Sequence, residues 1–212
     1  MLATVEMNPW LSIPASDYEA HMSDLGVMQM QMLNSCLQQI IAEKKPASAL
    51  VLGSATGNGF EHFLNSETQF VKAIDINPEY CEILKKRFSE KILGLDVECI
   101  DLNEVQLLDG FYDLVHCALV FEYVDIPNLL KKIKGVVKTD GWMSVVLQQP
   151  SIKTSPVTQT SYKSLEKLSG FMRLISSDEF VKMASEAGFH LTKKQEILLP
   201  TGKSFFIGIF NI

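Results

Sequence analysis

Short continuous runs of apolar residues alternate along the chain with segments in which apolar residues recur at helical spacing. The runs predict buried strands at residues 48–53, 69–75, 96–101, 111–120 and 141–149. The helical spacing predicts helices at residues 28–45, 57–66, 78–88, 126–137 and 176–187. Strands that alternate with helices in this order predict an α/β fold with a parallel sheet and right-handed crossovers. Ligands are then expected at the carboxyl ends of the strands.

Three segments depart from this alternation. Residues 1–26 contain two prolines before a glycine, and we expect an irregular arm there. Residues 150–175 are rich in Ser, Thr, Pro and Lys, which predicts a cap inserted after the fifth strand. Residues 189–199 and 203–210 predict two further strands that form an antiparallel hairpin.

Length and composition fit one globular domain. Of the 212 residues, 47% are hydrophobic and 21% are charged, which is close to the average for folded proteins. We therefore expect one α/β domain at residues 47–212, preceded by an arm and a helix at residues 1–46. No apolar run approaches the eighteen or so residues that would span a bilayer.

The charge and the cysteines restrict the partners and the compartment. A formal net charge of −6 argues against a nucleic-acid partner, since such proteins usually carry a basic surface. The first basic residue is Lys44, so we expect no basic targeting leader. The four cysteines are widely spaced and lack a CxxC pair, which indicates neither a metal site nor a disulfide scaffold. A reducing, cytoplasmic location is the expectation.

A glycine-rich turn and an acidic residue together indicate a ligand that contains adenosine. The sequence LVLGSATGNG places Gly53, Gly57 and Gly59 between a strand and a helix, where backbone can approach a ligand closely. By itself this turn is also compatible with tight packing. Asp75 ends the next strand, where its carboxylate can accept two hydrogen bonds from a ribose diol. Asn77 is better placed than Asp75 to cap the helix that begins at Pro78.

From about residue 47 onwards the chain resembles the class I S-adenosylmethionine-dependent methyltransferases. LGSATGNG resembles their glycine-rich first motif, IDINPEY the acidic second, CIDLNE the third, and FYDLVHCALVFEYV the fourth. The terminal hairpin resembles the reversed last strand of this family. The resemblance implies a doubly wound, Rossmann-like sheet of seven mostly parallel strands with helices on both faces and a reversed C-terminal strand. It also implies that S-adenosylmethionine is the cofactor and that the activity is methyl transfer.

The resemblance further implies roles for individual residues, each matched to a family motif. The backbone of the first motif would hold the methionine and ribose portions, at Gly53, Ser54, Ala55 and Gly57. Asp75 would bind the ribose hydroxyls and Ile76 would pack on adenine. Asp101 would accept a hydrogen bond from the adenine amino group, beside Leu102. His116 and Cys117, expected just past the fourth strand, would line the methyl-transfer end.

Two residues differ from the family pattern, and the arm adds a candidate. Val51 stands where an acidic residue is common, and Ala55 stands where a second glycine is usual. Both changes put the cofactor affinity and the geometry of the turn in question. The arm is similar to the lid segments of many small-molecule members, and Tyr18 is its candidate contact with the cofactor. A simple packing role for the arm remains an alternative.

The sequence does not identify a catalytic residue or an oligomeric state. Methyl transfer needs a general base only when the acceptor is protonated, and the available candidates are His21, His116, Glu122 and Tyr123. The acidic balance and the cap favour a small-molecule acceptor. Two other functions stay open: a noncatalytic domain that binds adenosyl ligands, and a NAD-dependent oxidoreductase, although the glycine spacing differs from G-x-G-x-x-G.

Overall fold

The computed structural model describes residues 8–104 and 111–212 and contains one mixed sheet flanked by helices. The strands are β1 (Ser48–Leu52), β2 (Phe70–Asp75), β3 (Leu95–Cys99), β4 (Tyr112–Ala118), β5 (Val137–Gln148), β6 (His190–Leu198) and β7 (Ser204–Asn211). The α-helices are α1 (Ala15–Ser23), α2 (Gln29–Lys44), α3 (Pro78–Phe88), α4 (Ile126–Lys134) and α5 (Ser177–Glu186). Within these described ranges, no helix is both long enough and apolar enough to cross a membrane.

The strand order confirms the predicted fold class. The order is β3-β2-β1-β4-β5-β7-β6, with β1 to β5 paired in parallel and β7 antiparallel to both of its neighbours. The chain therefore reverses direction in its last strand. From β1 the chain builds outward through β2 to β3 on one side, and from β4 it builds outward through β5 on the other. The switch point of the sheet therefore lies between β1 and β4.

Alternating residues of the central strands explain why helices cover both faces. Leu50 and Leu52 point to a buried cluster that includes α4 and α5. Ala49 and Val51 point to the opposite cluster, which is closed by α2 and by Leu84 of α3. Each strand thus buries both of its faces, which is why parallel strands appear in the sequence as continuous apolar runs.

The sequence-based prediction was wrong for the arm and for the segment after β1. Residues 15–23 form helix α1 and are not irregular, while residues 1–7 of the predicted arm lie outside the described residues. Residues 57–66 contain only a 3-10 turn at Phe60–Phe63, although an amphipathic α-helix was expected. Phe60 and Phe63 are both buried, and a spacing of three places them on one side of a 3-10 turn as readily as on an α-helix.

Two boundaries near β5 also differ from the prediction. Helix α4 ends at Lys134, whereas the apolar spacing had extended the predicted helix to residue 137. Val136 and Val137 are both buried. Val137 begins β5, which is longer than the predicted strand. A buried β-branched pair satisfies either pattern, so periodicity alone does not separate the end of the helix from the start of the strand.

The arm and the cap pack against each other over the carboxyl edge of the sheet. Ile13 of the arm shares a buried cluster with Val157, Leu165 and Leu168 of the cap. Ser164 Oγ donates to Asp17 Oδ2 at 2.6 Å, and this bond joins the cap to α1. The segment at 150–175 contains one 3-10 helix, at Lys163–Gly170. These two segments roof the edge at which the parallel strands end.

A close backbone approach before β3 allows a test of the sheet. A Cβ added at Gly94 would lie 2.0 Å from the carbonyl oxygen of Gln69, so a Gly94→Ala variant must displace backbone. We expect this variant to lower the free energy of unfolding by about 1–3 kcal/mol, measured by urea denaturation. Gly170→Ala is the matched control, because nothing lies within 4 Å of the added Cβ. Equal stabilities of the two variants would contradict the pairing of β2 with β3.

Candidate functional site

A cavity lies between the carboxyl ends of the strands, the arm and the cap. The space between its lining atoms amounts to about 1020 Å³, and this volume includes space that is open to solvent. Residues that follow β1, β2, β3 and β4 line its floor, together with Gln148 at the end of β5 and Lys203 just before β7. Arm and cap residues form its roof. The cavity therefore occupies the place where α/β proteins bind their ligands.

Asp75 is the buried acidic residue on the cavity floor. Its Oδ2 accepts from the backbone N–H of Ala55 at 2.8 Å, and its Oδ1 accepts from that of Asn77 at 2.9 Å. Burial raises the pKa of this carboxyl to about 6, although the backbone N–H groups of Asn77, Ala55 and Ile76 oppose the shift. Each carboxylate oxygen retains a lone pair for a further donor. Asp75 can therefore still receive two hydroxyl groups.

The glycine-rich turn approaches the cavity closely, but four of its N–H groups already have partners within the protein. Gly53 and Ser54 donate to the Ile74 carbonyl, Ala55 donates to Asp75, and Gly57 donates to the Ser54 carbonyl. Gly53 and Ala55 line the cavity. The turn therefore offers a close surface, and these four N–H groups are held in internal hydrogen bonds.

The remaining first-motif residues have packing roles in this structure. Gly57 has a φ of +90°, and a Cβ there would lie 3.0 Å from Phe88, so glycine is needed for packing against α3. Ser54 is buried outside the cavity lining. Ala55 has a φ of +46°, the left-handed region that glycine favours, at a cost of about 1–2 kcal/mol. Alanine thus keeps the conformation that the usual glycine would adopt.

Four aromatic rings cover the side of the cavity near β2. Trp10 makes edge contacts with Tyr18 and Tyr123 at centroid distances of 6.0 and 5.1 Å, and Tyr18 contacts Tyr80 at 5.3 Å. Burial raises the pKa of Tyr18, Tyr80 and Tyr123, so all three phenols stay protonated. The predicted contact Tyr18 does line the cavity. Tyr80, which lies in the predicted helix at residues 78–88, also lines it.

Ile76, Asp101 and Leu102 lie together on the β2–β3 side of the cavity, as expected from the motifs. Leu102 is buried in the core cluster that includes α4. Asp101 Oδ1 accepts from the backbone N–H of Asn103 at 2.8 Å, which leaves its other carboxylate oxygen outside this bond. Two apolar side chains and one acidic group thus line this side of the cavity.

The prediction for His116 and Cys117 was wrong, because both residues lie within β4 and not beyond it. His116 is 3% exposed, its Nδ1 is 3.2 Å from Ser144 Oγ, and burial lowers its pKa to about 4. Cys117 is fully buried in the core. Strand β4 continues to Ala118, so the cavity is lined by Ala118, Leu119 and Val120. The apolar run at residues 111–120 already placed both residues within the strand, so the error came from the motif match.

The other end of the cavity is polar. Gln29, Gln148 and Lys203 line it, and sequence analysis gave no signal for any of them. Gln29 Nε2 donates to Gln148 Oε1 at 3.4 Å. His21 lines the same region, and its Nδ1 is 2.9 Å from Thr160 Oγ1 of the cap. Burial lowers the pKa of His21, and the neighbouring charge of Lys203 lowers it further.

Glu122, one of the candidate bases, lies outside the cavity lining. Its Oε1 accepts from the backbone N–H of Gln148 at 2.9 Å. Burial raises the pKa of this carboxyl to about 7. Glu122 therefore positions the end of β5, while His21 and Tyr123 are the candidates that reach the cavity.

A hydrogen-bonded cluster attaches α1 to the glycine-rich turn. Glu19 pairs with Arg87 through both carboxylate oxygens, at 2.5 and 3.1 Å. Thr56 Oγ1 donates to the same carboxylate at 2.5 Å. Hydrogen bonding from Arg87 lowers the pKa of Glu19 despite its partial burial. The roof of the cavity is thus linked to its floor.

Comparisons with known proteins find a matching family model and relatives for part of the chain. Residues 50–145 match a family model described as a methyltransferase domain. An uncharacterized methyltransferase-like protein of Schizosaccharomyces pombe is 29% identical over 97 residues, which cover 46% of this chain and 36% of that protein. A second methyltransferase of that yeast, also described as uncharacterized, is 24% identical over 131 residues, or 62% and 49% of the two chains. The matches span half or less of these relatives.

Solved structures share the fold at low identity. A methyltransferase from Clostridium acetobutylicum, described as S-adenosylmethionine-dependent, has a TM-score of 0.67 at 14% identity and covers 93% of this chain and 97% of its own. Magnesium protoporphyrin IX methyltransferase from Synechocystis, solved with S-adenosylhomocysteine bound, gives 0.67 at 12% identity, with coverages of 93% and 94%. Residues 50–145 thus match a methyltransferase domain model, and the chain has the fold of these S-adenosylmethionine-dependent methyltransferases.

One structural neighbour shows that this methyltransferase fold does not fix the reaction. The [4+2]-cyclase SpnF has a TM-score of 0.67 at 11% identity and covers 84% of this chain and 79% of its own. Its name assigns it a cyclisation. The reaction of a class I methyltransferase domain therefore has to be argued from the residues around its cavity.

The link between Glu19 and Arg87 predicts a selective effect on the arm. We expect Glu19→Gln to increase hydrogen exchange at residues 15–23 by about fivefold, since a partly exposed ion pair contributes on the order of 1 kcal/mol. Hydrogen-exchange mass spectrometry of the wild type and the variant measures this. Glu43→Gln, which removes the ion pair with Lys193 between α2 and β6, is the matched control and leaves the arm unchanged. Unaltered exchange in Glu19→Gln would contradict the role of this cluster.

Proposed function

We propose that this chain binds S-adenosylmethionine and transfers its methyl group to a small-molecule acceptor. The single observation that carries the proposal is the buried Asp75 carboxylate, which ends β2 in the floor of a roofed cavity. In a methyltransferase fold this is the position from which a carboxylate can bind the ribose diol. The family match over residues 50–145 supports the same cofactor.

The residues of the cavity fit an adenosyl ligand. Within the described part of the chain, Tyr80 Oη is buried without a hydrogen-bond partner, and Tyr80 lines the cavity beside Asp75. A buried hydroxyl without a partner is costly, and a polar ligand would supply one. Ile76 and Leu102 can pack on the two faces of adenine, and Asp101 can accept from its amino group. The close approach of Gly53 and Ala55 leaves room for the sugar and the amino-acid portion.

The fold would accelerate methyl transfer mainly by alignment. When bound, S-adenosylmethionine supplies the methyl group: its bond to sulfur breaks as the bond to the acceptor atom forms, and S-adenosylhomocysteine remains. The leaving group needs no proton, so the protein has to hold the two molecules in line and exclude water. The roof formed by α1 and the cap serves this purpose. His21 lines the cavity, and burial lowers its pKa, so its neutral imidazole is the candidate to receive a proton from the acceptor.

A noncatalytic domain that binds adenosyl ligands remains the second candidate function. Val51 favours it, because this side chain packs in the core between the sheet and α2 where related domains carry an acidic residue. The protein would then bind the cofactor without methylating any acceptor. A NAD-dependent oxidoreductase is the third candidate and is tested in the same experiment.

Domain roles and location follow as further proposals. We assign cofactor binding to residues 47–212, with the cap at 150–175, and closure of the cavity to the preceding arm and helix. The four cysteines are free, and Cys36, Cys81 and Cys117 are buried, which favours a reducing compartment such as the cytoplasm. The acidic net charge favours a small acceptor over nucleic acid.

Titration calorimetry tests the proposed cofactor. We expect S-adenosylmethionine and S-adenosylhomocysteine to bind the wild type and NAD not to bind. Asp75→Ala should weaken adenosyl binding by at least about a hundredfold, because a buried carboxylate that accepts two hydroxyl groups is lost. Asp140→Ala, at an exposed position of β5, is the control. Binding of NAD alone, or equal adenosyl affinity in Asp75→Ala, would refute the proposal, and tight binding without turnover on an acceptor library would favour the noncatalytic alternative.

The pKa of Asp75 predicts a pH dependence for cofactor binding. The pKa of this carboxyl is about 6 in the folded protein, so acidification through that range converts it from an acceptor of two hydroxyls to a neutral acid. We therefore expect the affinity for S-adenosylhomocysteine to be constant above about pH 7 and to fall as the pH drops below 6. Asp75→Asn should abolish this change. A calorimetric series from pH 5 to pH 8 measures it, and a flat profile in the wild type would contradict the assignment.

A further inference from the structure

A buried lysine lies at the polar end of the cavity, away from the proposed nucleoside site. Lys203 is 4% exposed, lines the cavity and follows the turn between β6 and β7. Lysine is rarely buried to this extent without a partner of opposite charge. The placement therefore calls for an explanation in terms of binding or packing.

In the described part of the chain, both hydrogen-bond acceptors of Lys203 are neutral oxygens. Its Nζ donates to the Pro156 carbonyl at 2.7 Å and to Gln148 Oε1 at 3.4 Å. Among residues 8–104 and 111–212, no carboxylate forms an ion pair with it. Burial lowers the pKa of Lys203 to about 8, so at neutral pH the amine is protonated in most molecules. The cavity thus holds a positive charge that the protein itself does not neutralise.

The order of the strands separates this charge from the proposed nucleoside site. Lys203 Nζ lies 3.4 Å from Gln148 Oε1 at the end of β5, a strand that is three positions from β2 and two from β1. At about 4.8 Å per strand, these steps correspond to roughly 14 Å from the end of β2 and roughly 10 Å from the glycine-rich turn. A nucleoside bound at Asp75 therefore leaves the region near β5 and β7 for a second molecule.

Much of the cavity lining is apolar. The arm, α2 and the cap contribute side chains that line the cavity: Met22, Leu33, Val157, Leu165, Leu168 and Met172. A second molecule would therefore be mostly apolar, with one group that matches the lysine. The Gln29 and Gln148 amides beside the lysine can donate further hydrogen bonds.

We propose that Lys203 binds the carboxylate of a small, otherwise apolar methyl acceptor and orients it towards the cofactor. The inference rests on the proposed function, because it names the class of acceptor for that site. A carboxylate at Nζ would supply the missing counter-charge in a place shielded from water, where a charge-assisted hydrogen bond is strong. Lys203 is thus a residue that determines acceptor specificity.

Binding of matched acids and amides tests this inference. Wild-type protein saturated with S-adenosylhomocysteine is titrated with octanoate and phenylacetate, and separately with octanamide and phenylacetamide. We expect at least one acid to bind about tenfold or more tightly than its amide, since hydrogen bonds to charged groups contribute on that scale. Lys203→Met should remove the preference for the acid and leave the affinity for S-adenosylhomocysteine within about twofold of the wild type. Lys194→Met, on the exposed face of β6, is the control and keeps the preference.

The possible outcomes separate this inference from the proposed function. If S-adenosylhomocysteine fails to bind the wild type, the proposed cofactor is wrong. If it binds and neither acid is preferred over its amide in the wild type, the acceptor class is wrong, and this result does not depend on how the variant folds. A preference that persists in a Lys203→Met variant with a native circular dichroism spectrum also overturns the role of the lysine.

The cofactor has a carboxylate of its own, and one comparison assigns the lysine to one molecule or the other. 5′-Methylthioadenosine lacks the amino-acid portion of S-adenosylhomocysteine. If Lys203→Met weakens binding of S-adenosylhomocysteine about tenfold and leaves binding of 5′-methylthioadenosine unchanged, the lysine binds the cofactor and the acceptor assignment is overturned. Unchanged binding of both, with loss of the preference for the acid, supports it.

Discussion

The hydrogen bonds of Asp75 and Asn77 hold together the three segments that surround the proposed nucleoside site. Asp75 accepts from Ala55 of the glycine-rich turn and from the Asn77 backbone. The Asn77 side chain caps α3 by accepting from Glu79 N at 2.9 Å, and its amide donates to the Trp10 carbonyl of the arm at 2.8 Å. Because both side chains are buried, each of these bonds forms in a place where water does not compete. Turn, helix and arm are therefore fixed relative to one another.

The same arrangement explains why an unusual turn sequence is tolerated. Ala55 occupies the left-handed region, and its N–H is held by the Asp75 carboxylate. This bond offsets part of the strain of a side chain at positive φ. Val51, the other departure from the family pattern, lies on the side of β1 that faces α2 and contributes to the core there. Both residues thus act on the stability of the turn and leave Asp75 in place.

The fold and the positions of the residues proposed to bind the nucleoside were accessible to sequence analysis because they depend on local patterns. Buried runs, capping residues such as Asn77 and the position of Asp75 at a strand end are all encoded within a few neighbouring residues. His116 and Cys117 were misplaced because their position past the strand came from the motif match, whereas the apolar run at residues 111–120 already placed both within the strand. Helix α1 was missed since its buried side depends on contacts with the cap, more than a hundred residues away. Lys203 could not be found, because a lysine beside a turn glycine is ordinarily exposed.

The two ends of the cavity therefore differ in how they constrain function. The end proposed to bind the nucleoside is built from residues at the ends of β1, β2 and β3, whose positions follow from the sheet. The other end is built from the arm, the cap and the last hairpin, so small changes in these segments can alter the acceptor without disturbing the core. A fold that also serves a [4+2]-cyclase shows that the reaction can change while the sheet does not. A buried cation discriminates against a neutral ligand far more strongly than an apolar wall does. At this variable end, the uncompensated charge of Lys203 therefore restricts the chemistry of the ligand most.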